Sequence, residues 1–147
     1  MRTHRVLVAL IALLFMSQMT ARSQESKKES PKLQGIWISP LKKDGKTEVQ
    51  FNFNFRTEKF FELEVLVLGT GMKMKTAQNG SYTIEEKDGK KYLLLSLTGS
   101  SKTIYRVRCE LDGDKLSLEP EKKIVIVDPA GDVTIDVKGE LKRMKKD

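Results

Sequence analysis

The chain has 147 residues, enough for one domain, with 27 basic against 20 acidic side chains, one histidine and one cysteine. A single cysteine excludes an intrachain disulfide and a cysteine-cluster metal site. The lone histidine, His4, falls in a segment that reads as a removable leader. Beyond that segment, Ser-His-Asp and Cys-His nucleophiles and His-based zinc or copper sites are therefore excluded.

In chain order, residues 1–23 read as a signal peptide. Arg2 and Arg5 give a basic start, Val6 to Met16 an eleven-residue apolar run, and Ala21-Arg22-Ser23 a small-x-small site with cleavage before Gln24. The run is shorter than the about 20 residues that a membrane helix needs, so an uncleaved anchor is the weaker alternative. The expectation is an exported protein, periplasmic or secreted, with no membrane span in its mature form. Its only cysteine, Cys109, is far from the cleavage site, which excludes lipid attachment at a new N-terminal cysteine. Removing Arg2, Arg5 and Arg22 leaves 24 basic and 20 acidic residues, a net of about +4. The lysines scatter through turns and termini as a solvated surface does, so no nucleic-acid partner is expected. Residues 24–32, "QESKKESPK", form a flexible linker, and residues 33–147 make the folded domain.

That domain reads as strands over 33–39, 49–55, 60–68, 81–86, 92–98, 103–111, 115–119, 124–127, 132–137 and 140–144. The strongest signal is "VQFNFNF", where Val49, Phe51, Phe53 and Phe55 alternate with Gln50, Asn52 and Asn54. Such alternation sends one set of side chains inward and the other to solvent. It recurs at Phe61, Leu63, Val65 and Val67; at Leu93, Leu95 and Leu97; and at Tyr105, Val107, Cys109 and Leu111. Between these runs lie "KKDGK" at 42–46, "EKDGKK" at 86–91, "LDGDK" at 111–115 and "DPAGD" at 128–132, the turn chemistry of tight hairpins. Asn79-Gly80 is read as a further turn in preference to a glycosylation sequon, and "GTGMK" at 69–73 as the junction between two strands. No segment has a sustained apolar period of 3.6, so no long amphipathic helix is expected. The fold class is thus all-β: an antiparallel up-and-down β-barrel of about eight to ten strands, favoured over a sandwich because consecutive hairpins leave few crossovers.

The motif Gly35-x-Trp37 on the first strand resembles the opening of lipocalins and other calycin barrels. The resemblance implies that Trp37 plugs one barrel end and that a basic residue of the last strand, Arg143 or else Lys142, covers its ring. The set "LQGIW", "GSYTIEE", "YRVRCELDGDKLSLEP" and "ELKRMKK" is similar, over most of the mature chain, to small exported bacterial domains of the planctomycete type. These are lipocalin-like, and the resemblance speaks to fold more than to activity.

No catalytic constellation is expected. Glu62 and Glu64 share the wet face of their strand, and a catalytic pair needs burial to separate its pKa values. Asp112 with Asp114, and Asp128 with Asp132 and Asp136, lack calcium-loop spacing, so neither metal nor cofactor is expected. Cys109 shares the inward face and reads as an inert thiol. The leading expectation is a non-enzymatic binding protein holding a small apolar or amphipathic ligand in the barrel. Phe51, Phe53, Phe55, Phe61, Leu63, Tyr105 and Val107 are its expected wall, with Met72 and Met74 near an open end. The alternative is a filled barrel that contacts an envelope protein or polymer. An eight-stranded barrel accommodates either.

Overall fold

The computed structural model describes residues 32–99 and 102–145. The expected leader at 1–23, and residues 24–31 of the expected linker, lie outside the described residues. Among the described residues eleven strands follow one another: β1 (Gly35–Ile38), β2 (Lys42–Asp44), β3 (Thr47–Phe55), β4 (Phe60–Gly69), β5 (Met72–Lys87), β6 (Lys90–Leu97), β7 (Ile104–Asp112), β8 (Lys115–Pro120), β9 (Ile124–Ile126), β10 (Val133–Ile135) and β11 (Gly139–Arg143). Strands β3 to β8 pair in sequence, β11 pairs with β8, and β1 joins β11 to β3. That last pairing closes an eight-stranded antiparallel up-and-down barrel, as the lipocalin-like expectation required.

The residues 42–46 prove to be more than a turn. Lys42, Lys43 and Asp44 form β2, which pairs with Val49, Glu48 and Thr47 of β3, while β1 pairs with the other end of the same strand. Pro40, which has no N–H to donate, separates β1 from β2. Ser39 bridges the break: its N–H donates to the Phe51 carbonyl at 2.9 Å and its hydroxyl accepts from the Phe51 N–H at 3.0 Å. Strands β9 and β10 pair only with each other and form a hairpin outside the ring.

Period-two alternation builds the core. Phe51, Phe53 and Phe55 stand opposite Val65, Leu63 and Phe61, and all six are buried. Their rings pack on one another: Phe53 and Phe55 stack at 5.7 Å between centroids, Phe61 lies 5.8 Å from Phe53, and Tyr82 meets Phe55 edge-on at 5.0 Å. The outward face carries the amides and charges. Lys75 sits 2.7 Å from Glu64, which also accepts from Asn52, and Arg56 pairs with Glu62 at 2.6 Å. The Lys75 hydrogen bond holds the Glu64 carboxyl below its ordinary range. Such half-exposed pairs add little stability.

Two Asp-Gly and Asn-Gly signals come out differently. Asp88 and Gly89 both have positive φ, at 53° and 71°, as the turn between β5 and β6 requires. Asn79-Gly80, expected to be a turn, lies inside β5. That strand runs through it, pairing with β4 over residues 72–81 and with β6 over 80–87. Gly80 is the point where the strand passes from one neighbour to the other. The Phe61 ring covers it from the facing position, as an aromatic side chain often does for a glycine in a barrel strand.

Candidate functional site

The two ends of β3 lead to two different constructions. At one end, Phe53 and Phe55 are level with Trp37 and Gly35. Trp37 is fully buried, and its indole N–H donates to the Leu33 carbonyl at 2.7 Å. Arg143, its register partner on β11, lays its guanidinium 4.4 Å from the ring centroid. The same guanidinium donates to the Gln34 and Lys32 carbonyls at 3.0 and 2.7 Å, tying the incoming chain across the ring. Gly35 has a φ of 128°, a backbone conformation that favours glycine. Trp37, Gly35 and Arg143 thus meet in one construction at this end.

At the other end, Val49 and Phe51 face a cleft of about 520 Å³. Val67 and Met74, from the β4–β5 end, continue its apolar floor, and Val133 and Ile135 of β10 form its opposite wall. Lys42, Lys43, Asp44, Lys123, Asp132 and Asp136 supply its charges. The β9–β10 hairpin crosses this end with its inner side sunk into the core: Ile124, Ile126 and Ile135, followed by Val137 just past the hairpin, are buried in the cluster that contains the phenylalanines. Leu41 and Met72 stand exposed nearby, on the segments that begin β2 and β5.

Polar contacts fix the hairpin. Thr76 Oγ1 donates to Asp128 Oδ2 at 2.8 Å, and the Ala130 N–H donates to Asp128 Oδ1 at 2.8 Å. The Val125 N–H donates to the Tyr105 hydroxyl at 3.2 Å. The Ala130 and Thr76 hydrogen bonds lower the Asp128 pKa below its ordinary 3.8. A carboxyl more acidic in the fold than in the unfolded chain stabilises the fold above the ordinary value. That contribution disappears as pH falls through the lowered one. Hydrogen-exchange protection of the β9–β10 amides, taken relative to β3, is therefore expected to drop below about pH 4. In Asp128→Asn the drop should vanish. An unchanged acid profile in that variant would show that the latch does not hold the hairpin.

Of the residues expected to form a cavity wall, Phe51 alone lines the cleft. Phe53, Phe55, Phe61, Leu63 and Val107 are packed into the core. Tyr105 is buried among them and uses its hydroxyl on the hairpin. Val49, Val67, Val133, Ile135 and Lys42 were not expected at a site. The first two extend the same alternating rows as Phe51 and Val65, which is the signal that could have found them. Cys109 is buried, and burial pushes its thiol up to about 11, so little thiolate forms at neutral pH. Glu62 and Glu64 remain on the outer face with their cations. Among the described residues, no three acidic, cysteine or histidine side chains gather as a metal site would need, and no helix is long and apolar enough to cross a membrane. Comparison with family models, curated proteins and solved structures finds no match to this chain.

Proposed function

We propose that this is an exported, non-enzymatic binding protein of the cell envelope that takes a small apolar or amphipathic molecule into the cleft between the barrel mouth and the β9–β10 hairpin. Its opening and closing motifs lead us to group it with the small exported lipocalin-like domains of planctomycete type. The observation that carries the proposal is the cleft itself. Its volume of about 520 Å³ lies within the usual ligand range, and apolar side chains from three barrel strands and the hairpin converge on it. Binding would draw on apolar burial at about 25 cal/mol per Å². Binding at the mouth also leaves the ring cluster undisturbed, where a ligand in the lumen would have to displace it.

Titration of a fluorescent fatty acid is expected to saturate at one site per chain. Val67→Trp, which fills the floor of the cleft, should weaken binding at least about tenfold, while Tyr82→Phe, remote from the cleft, should not. No saturable binding, or binding indifferent to Val67→Trp, rejects the proposal. The ring-filled lumen favours a second reading, in which the barrel is an interaction module and exposed Leu41 and Met72 touch an envelope protein. Saturable binding lost in Val67→Trp would count against that reading.

A further inference from the structure

One charged side chain of the cleft differs from the rest. Lys43, Asp44, Lys123, Asp132 and Asp136 are exposed, whereas Lys42 is half-buried. Lys42 is in register with Val49, so its side chain is on the inward face of the barrel. Its ammonium lies 5.7 Å from the centroid of the Phe51 ring and donates to the Lys138 carbonyl. Among the described residues, no carboxylate forms an ion pair with it. An ammonium has three N–H donors, and the Lys138 carbonyl takes one. The ring face adds some attraction but does not neutralise the charge. The remaining donors are open to the cleft, where an incoming anion can take them in charge-assisted hydrogen bonds.

We infer that the ligand is an anionic amphiphile. Resting on the cleft reading above, this assigns its carboxylate to Lys42 Nζ and its apolar chain to the strip formed by Phe51, Val67 and Ile135. The Lys138 carbonyl and the Phe51 ring both neighbour the ammonium, beside the connection between β10 and β11. At Lys42 a cationic head group would meet repulsion, and the carboxylates of the cleft, Asp44, Asp132 and Asp136, are exposed to solvent. A neutral one would accept a hydrogen bond from the ammonium without countering its charge.

The test compares dodecanoate, dodecanol and dodecyltrimethylammonium, each below its micellar concentration, as competitors of the fluorescent fatty acid on the full chain. Dodecanoate is expected to compete roughly ten- to a hundredfold better than dodecanol, the margin of a charge-assisted hydrogen bond. The trimethylammonium compound should compete worst. Lys42→Met should close the gap between dodecanoate and dodecanol, and Lys42→Arg should keep it. Equal competition by dodecanoate and dodecanol on the unmodified protein, or a preference that survives Lys42→Met, overturns the inference while leaving the cleft as a binding site. If the fluorescent ligand itself does not bind, both fall. Should Lys42→Met fail to fold, the three head groups on the unmodified protein decide the matter alone.

Discussion

Replacing Trp37 with alanine is expected to destabilise the barrel by about 3–5 kcal/mol, the range for deleting a large buried aromatic side chain. Against the about 5–15 kcal/mol of a typical domain, that leaves little margin. The expectation follows from what the indole does simultaneously. It is fully buried, its N–H satisfies the Leu33 carbonyl, and its face carries the Arg143 guanidinium. Alanine would leave a cavity at the end of the barrel and strand Arg143 above it. Trp37→Phe should cost less, because it keeps an aromatic face and loses only the indole hydrogen bond and part of the volume. Arg143→Met should cost about 1–2 kcal/mol, since it removes the cation over the ring and the two hydrogen bonds to the incoming chain. Urea unfolding followed by far-UV circular dichroism gives all three values. A Trp37→Ala loss under about 1 kcal/mol would mean that the indole does not hold this end.

The strands were legible because their signal is local. The Phe51-Phe53-Phe55 row needs only period-two alternation to be assigned an inward face, and in the barrel all three rings are buried. The cleft was much less legible. Its floor and wall join Val49, Val67 and Val133, residues far apart in sequence, and only the way the β9–β10 hairpin folds across the mouth brings them together. The expected strands at 124–127 and 132–137 shorten to 124–126 and 133–135, and alternation does not say which sheet a strand joins. Lys42 was hidden for another reason. Next to an Asp-Gly pair it reads as turn, whereas pairing with Val49 turns it inward. Which side of a strand a residue faces is thus a local property, but what it meets there is not.

Gly80 carries this point furthest, and it leads to the second large effect. Gly80→Val is expected to cost about 3 kcal/mol or more, at the upper end for overpacking a core. Read locally, Asn-Gly in this chain means a turn, and a turn position often accepts other residues at modest cost. In the strand, a β-carbon on Gly80 would lie 2.5 Å from the Ser96 carbonyl oxygen and 2.6 Å from Phe61 Cζ. The first neighbour is backbone held in the pairing of β5 with β6, and the second is a ring held by Phe53, Phe55 and Tyr82. Neither yields without disturbing what surrounds it. Gly80→Ala should therefore already destabilise, and Gly80→Val more so. In a Phe61→Leu background the cost of Gly80→Ala should shrink but not vanish, because the smaller side chain relieves the ring contact and leaves the carbonyl contact in place. A double-mutant cycle by urea unfolding separates the two shares. If Gly80→Ala proves neutral within about 0.5 kcal/mol, the ring does not rest on that glycine.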